Sequence, residues 1–203
     1  MPDTKLIYFG LTGRGEPIRY LLAYGGVEFE DVRLTFDDFY KRKNEFPLGQ
    51  LPVLEFEGKT IFQSKAIYRF LGRRFGLDGK DEWDSLKCDI AMDTINDIGL
   101  ALLPYATETD EAAKKIKQEA ALAKMAYLVD KLESHLAKND GHFVEGQLTW
   151  ADFCFAGLHD TYNHRSGGGD VFAGRPLLKA LKAKVESLPA VKAYRDKSPS
   201  VPF

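Results

Sequence analysis

Cysteine is scarce in this sequence. Cys88 and Cys154 are its only two, far apart and in no CxxC pair, which excludes a disulfide scaffold and a structural zinc site. No charge of one sign dominates. Lys and Arg number 28 against 30 Asp and Glu, for a net charge of −2, so there is neither the basic patch nucleic acid requires nor a polybasic membrane anchor. No apolar run approaches the ~20 residues of a membrane span. The opening residues MPDTKLIYFG lack the charged-then-apolar layout of a signal peptide. His135, His142, His159 and His164 show no HExxH or other paired ligand spacing, so no metal is expected. These absences point to a reduced, cytoplasmic protein.

What is present is ordinary globular material: 203 residues, 44% hydrophobic and 29% charged. The most informative stretch is Leu48 to Gly76. Val53 to Phe56 reads as a strand, Glu57-Gly58 as a tight turn, and Lys59 to Phe62 as the return strand. Ser64 stands where a helix N-cap belongs, followed by Ile67, Phe70, Leu71 and Phe75 on one apolar face. Gly76 supplies the stop. Pro52 opens the first strand, where it removes a ladder donor. A cis bond before it would turn the polar groups of Leu51 outward; a trans proline starting a strand is the plain alternative. Gln63-Ser64 at a helix N-terminus suits a carboxylate, and an ordinary capping serine explains it equally well.

Upstream, Lys5 to Phe9 reads as a strand and Gly10 to Gly15 as a loop. That loop has neither GxGxxG nor Walker spacing, so phosphate binding is not indicated. Pro17 fits the first turn of a helix bearing Ile18, Leu21 and Leu22, and Gly25-Gly26 ends it. Val27 to Leu34 reads as an edge strand, and Asp37 to Asn44 as a short polar helix or turn. The fold class is therefore an α/β unit of order βαβ–ββα at residues 1–77. A polar linker at 78–80 follows, then an all-helical part at 81–203. Trp83, Leu86, Ile90 and Ile95 mark a long helix toward Pro104, and a second helix runs from about Asp110 to Lys138. Thr149 and Asp152 form a capping box, with helices also starting at Pro176 and Pro189.

Several motifs together carry a resemblance. They are Tyr8 after KLIYF, Gly13-Arg14-Gly15-Glu16, Ile18-Arg19-Tyr20, Leu51-Pro52-Val53-Leu54, Gln63-Ser64-Lys65-Ala66-Ile67 and Thr149-Trp150-Ala151-Asp152-Phe153. The chain resembles the cytosolic glutathione transferases along essentially its whole length. The sigma class, which includes the haematopoietic-type prostaglandin D synthases, is the nearest in pattern, through Tyr8 and Asp93-Thr94-Ile95-Asn96-Asp97.

The resemblance implies a thioredoxin-like first domain with Pro52 cis, glutathione as co-substrate, and a homodimer. It makes Tyr8 and Arg14 catalytic, Tyr8 donating its O–H to the glutathione sulfur; a half-buried strand tyrosine is the alternative. It places Gln63 and Ser64 at the γ-glutamyl carboxylate and Leu51, just before Pro52, at the cysteinyl main chain. Phe39, Lys43 and Gln50 would surround the glycyl end, Gly49 and Pro52 would also belong to the glutathione site, and Asp97 of the partner subunit would meet the ammonium. Position 39 is usually Trp in this class and position 50 often Lys, so Phe39 and Gln50 remove a donor and a cation. The electrophile pocket would draw on Phe9, Gly13, Gly99, Tyr105 and Phe203. The implied activity is conjugation of glutathione to hydrophobic electrophiles. Prostaglandin D isomerisation is one alternative, and a non-catalytic crystallin-like or apolar-ligand-binding member is another.

Overall fold

A computed structural model describes residues 2–197; Phe203 lies outside them. The N-terminal unit is a four-stranded sheet of order β2-β1-β3-β4. Strand β1 (Lys5–Phe9) runs parallel to β2 (Glu30–Leu34) and antiparallel to β3 (Val53–Phe56). A parallel pair needs a crossover, supplied by α1 (Glu16–Tyr24). Glu57 (φ 49°) and Gly58 (φ 74°) make the tight turn from β3 to β4 (Lys59–Phe62). Strand β2 is an edge, as its broken alternation suggests, but it is shorter than the 27–34 expected. Its register starts with Lys5 opposite Glu30, and no β1 residue remains to pair with what precedes. Val27 and Phe29 instead pack onto the core.

Alternation along β1 sends neighbouring side chains to opposite faces. Leu6 enters the main core with α1 and α3 (Ser64–Arg74), while Ile7 joins Leu34, Phe39, Phe46 and Val53 beneath α2 (Phe36–Arg42). Tyr8 shares the face of Leu6 and so points toward the helical half.

That half comprises α4 (Glu82–Ala106), α5 (Glu111–Lys138), α6 (Trp150–Arg165), α7 (Pro176–Ser187) and α8 (Pro189–Lys197). Helix α6 is buried from Trp150 through Leu158 and forms its axis. The Thr149–Asp152 capping box is present, with Asp152 accepting the Thr149 amide at 2.6 Å. Helix α4 departs from expectation. Of the four apolar residues used to find it, only Ile95 is buried; Trp83, Leu86 and Ile90 are 65%, 45% and 57% exposed. The core row is instead Cys88, Met92, Ile95, Ile98 and Leu102. Both rows have helical spacing, so periodicity found the helix but not the face that packs.

Candidate functional site

Tyr8 is the centre of a tightly built loop. Its ring lies against the backbone of Gly13 and Gly15: a Cβ on Gly13 would stand 2.6 Å from the Tyr8 hydroxyl, and one on Gly15 2.3 Å from its Cδ1. Glycine is required here because backbone and ring occupy the space of a side chain. The Arg14 amide donates to the Tyr8 oxygen at 3.0 Å, and the Tyr68 hydroxyl donates to the Arg14 carbonyl at 2.7 Å. The Tyr8 proton has no acceptor among the described residues, so it is available to a ligand. Burial pushes the Tyr8 hydroxyl above the ordinary tyrosine value, while the Arg14 amide and the charges of Arg165, Arg14 and Arg19 pull it back only in part. Tyr8 is therefore a protonated donor at neutral pH, not a tyrosinate.

Beneath the loop, Arg19 is fully buried and each of its three side-chain nitrogens is hydrogen-bonded. It bonds the carbonyls of Leu11 (2.9 Å) and Phe9 (3.1 Å), Glu16 (3.0 Å) and Asp31 (3.1 Å), with its guanidinium 5.8 Å from the Tyr8 ring centre. A buried arginine is tolerable only when paired and hydrogen-bonded in this way. The pairing ties the start of the loop to α1 and β2.

Opposite Tyr8, α3 starts at Ser64, which is its first helical residue. The N-cap is Gln63, and no side chain caps the helix. This corrects the expectation of a serine cap. Gln63 has φ 70° and ψ 104°, a region that costs a non-glycine residue about 1–3 kcal/mol. The first helix-closing bond runs from the Ile67 amide to the Gln63 carbonyl at 3.0 Å, so the Ser64, Lys65 and Ala66 amides have no helical acceptor. Three open amides at a dipole terminus form an anion-binding end.

Gly13, Arg14 and Ser64 line one side of a cleft whose other wall comes from α4 and α6. Gly99 lines it too; a Cβ there would lie 3.1 Å from the Tyr162 ring, so its lack of a side chain lets α4 and α6 approach. Phe9 and Tyr105 do not line it. Phe9 stacks on Phe36 with centroids 4.6 Å apart, because β1 turns it to the sheet's other face, and Tyr105 lies beside Lys114. The cleft also includes Asn96, quoted above only as part of a motif, and Thr161 and Arg165, which the sequence did not single out. The only signal for Thr161 and Arg165 was their polarity in the second half of a helix whose first half is almost entirely apolar.

The remaining expected residues fall in two places. The Leu51–Pro52 peptide is cis. The β3 ladder begins at Val53, so the polar groups of Leu51 lie outside it. Lys43, Gly49 and Gln50 are together at this edge, the Lys43 stem passing 3.2 Å from where a Gly49 Cβ would stand. Phe39 is buried, stacked on Phe46 at 6.0 Å. On α4, Asp97 is exposed. Asp89 and Asp93 pair with Arg69 and Lys65 of α3, both at 2.7 Å. These two carboxylates of α4 thus bind it to α3. No group of three His, Cys, Asp or Glu among the described residues could hold a metal ion.

Two family models match, the glutathione S-transferase N-terminal domain over residues 4–73 and the C-terminal domain over residues 96–198. The chain belongs to the glutathione S-transferase family. This transferase is 40% identical to glutathione S-transferase S1 of Drosophila melanogaster over 96% of its own chain and 78% of that protein. Among solved structures it is similar to the prostaglandin synthase D of Nilaparvata lugens, at 38% identity and a TM-score of 0.91, covering 98% and 99% of the two chains. It is also similar to a monomeric glutathione S-transferase of the hookworm Necator americanus, at 33% identity and a TM-score of 0.84, covering 99% and 100%. Glutathione is the co-substrate of this transferase, and the thioredoxin-like unit with its helical partner is the family's fold.

Proposed function

We propose that this transferase is sigma-like and conjugates glutathione to hydrophobic electrophiles, using Tyr8 to hold the glutathione sulfur as a thiolate. The observation that carries this is the Tyr8 hydroxyl: held through its oxygen by the Arg14 amide, buried, protonated, and with its own proton unclaimed. A free thiol with pKa ≈ 8.5 is only a few per cent ionised at pH 7, and lowering it by ~2 units takes about 2.7 kcal/mol. A hydrogen bond from Tyr8 to the charged sulfur acts in that direction, and the Arg14 charge beside it adds to the effect.

The same reading gives each anchor a partner. Ser64 and Gln63, at the open amides of α3, take the γ-glutamyl carboxylate. The outward polar groups of Leu51, beside Pro52, pair with the cysteinyl main chain as an added strand would. Lys43 meets the glycyl carboxylate, with Gly49 and Gln50 beside it. Buried Phe39 supports that edge by packing and offers no donor. Asp97 acts on the ammonium of the partner subunit's glutathione, which makes the working unit a homodimer. The thiolate then forms a bond to the electrophilic carbon, and the displaced electron pair leaves with the leaving group or passes into the acceptor. Detoxification in the cytoplasm is the setting this chemistry suits. Its similarity to a prostaglandin synthase D supports a second reading, isomerisation of a prostaglandin endoperoxide by the same thiolate.

The test is Tyr8→Phe, which keeps the ring. The bound thiol should move up by ~2 units toward its free value. Conjugation should fall about tenfold rather than a hundredfold, since a more basic thiolate is a better nucleophile. Thiolate absorbance titration reads the first and initial rates the second; an unchanged thiol pKa removes Tyr8 from the mechanism. Because burial holds Tyr8 above the ordinary value of 10.0, the wild-type pH–rate profile should rise through the thiol ionisation and show no fall from Tyr8 below pH 10. Assays with aryl halides, lipid aldehydes and a prostaglandin endoperoxide separate the two substrate readings. Sedimentation with and without Asp97→Ala, beside glutathione affinity, tests the shared site.

A further inference from the structure

Thr161 belongs to α6, in the helical half, yet its hydroxyl ends inside the Tyr8 loop. It is 2% exposed. Its Oγ1 accepts the Gly13 amide at 3.0 Å and shares a hydrogen bond with the Thr12 hydroxyl at 2.9 Å. The next amide along the chain, that of Arg14, is the one that holds the Tyr8 oxygen. Consecutive N–H groups of one short turn therefore point two ways, one into the helical half and one onto the tyrosine. Gly13 makes this possible with φ 45°, and no other side chain fits there without meeting the Tyr8 hydroxyl.

We propose that Thr161 is a positioning residue for Tyr8: a hydroxyl supplied by the helical half sets the Gly13-Arg14 turn, and through it the placement of the tyrosine oxygen. The inference rests on the thiolate-stabilising role of Tyr8 proposed above. The other fixed points of the loop do not duplicate this one. Tyr68 holds the Arg14 carbonyl and Arg19 holds the Phe9 and Leu11 carbonyls, and both come from the N-terminal unit. Thr161 is the point at which docking of the helices enters the geometry of the thiol site. Glutathione itself is anchored by its carboxylates and ammonium elsewhere, so loss of the Thr161 hydroxyl should alter thiol acidity rather than affinity.

The experiment compares wild type, Thr161→Val, Thr161→Ser, Thr12→Val, Tyr8→Phe and the Tyr8→Phe/Thr161→Val double variant. Valine keeps the shape and leaves the Gly13 amide without its acceptor. The expected result is a rise in the bound thiol pKa, read as about threefold less thiolate at a pH below both values, with KM for glutathione within about twofold. Thr161→Ser should restore the wild-type value. Thr12→Val leaves Thr161 in place and removes the hydroxyl that orients it; a smaller rise in the same direction is expected, and this variant decides the matter if Thr161→Val does not fold. In the Tyr8→Phe background the Thr161 change should add nothing further. A wild-type thiol pKa in Thr161→Val and Thr12→Val, beside a raised one in Tyr8→Phe, overturns the positioning role alone. An equal shift in both backgrounds overturns it as well, and an unchanged pKa in Tyr8→Phe removes the role of Tyr8 together with it.

Discussion

Two glycine-rich loops in this chain have similar composition and opposite reasons for it. At Gly13 and Gly15 the space of a side chain is already filled by Tyr8, as close as 2.6 and 2.3 Å. At Gly168 and Gly169 nothing lies within 4 Å; Gly168 is held at φ 83°, and only its backbone conformation asks for glycine. The first loop is glycine-rich because a functional ring must be gripped by backbone. The second follows α6, where the chain has only to turn. Glycine content alone therefore says nothing about a site; what would collide with a Cβ does.

Gly15→Ala should have the largest effect. Gly15 has an ordinary helical conformation at φ −80° and ψ −32°, so alanine is free to adopt the backbone and the penalty falls on the Tyr8 ring. Displacing that ring breaks the Arg14–Tyr8 hydrogen bond, and conjugation should fall at least as far as in Tyr8→Phe, about tenfold or more. Overpacking should also lower stability by about 1–3 kcal/mol, measured by denaturant unfolding. Wild-type activity in this variant would break the comparison, because the cradle would then be dispensable.

Gly168→Ala should be intermediate and of a different kind. Its cost is the left-handed conformation, about 1–2 kcal/mol of stability, with conjugation kinetics at wild-type values. A loss of activity at full stability would show that this loop, too, serves the site. Gly169→Ala should have the smallest effect. With open space and no left-handed backbone, alanine should leave activity unchanged and stabilise by about 0.4–1 kcal/mol through the unfolded chain. The sharpened comparison is thus activity lost at 15, stability lost at 168 and neither at 169.

Much of the fold was legible locally. The Glu57-Gly58 turn between two short β-rich runs, Pro17 in the first turn of α1 and the Thr149–Asp152 capping box all act within a few residues, so the chain carries their signal directly. The failures share a cause. On α4 two apolar rows compete, and only packing chose Cys88, Met92 and Ile98 over Trp83, Leu86 and Ile90. Strand β2 began only at Glu30, opposite Lys5 where its partner β1 begins. The helix at Ser64 began one residue earlier than its capping pattern suggested, because Gln63 rather than Ser64 is the N-cap and takes the strained entry.

For the site, the sequence by itself determined which groups are available: a tyrosine ending a strand, an arginine and glycines after it, and a Gln-Ser pair opening a helix. Their chemistry is a property of residue type, and their motifs are short. Tertiary structure alone decided what surrounds them. Thr161 reaches Gly13 across 148 positions of sequence, and Tyr68 reaches Arg14 across 54; a periodicity argument has no access to contacts at that separation. The same holds for the buried Arg19 network and for the burial that keeps Tyr8 protonated. A hydrogen bond needs its partners within about 3 Å, and desolvation depends on every atom nearby. Both are set by how the helical half docks on the sheet, which no single stretch of the chain records.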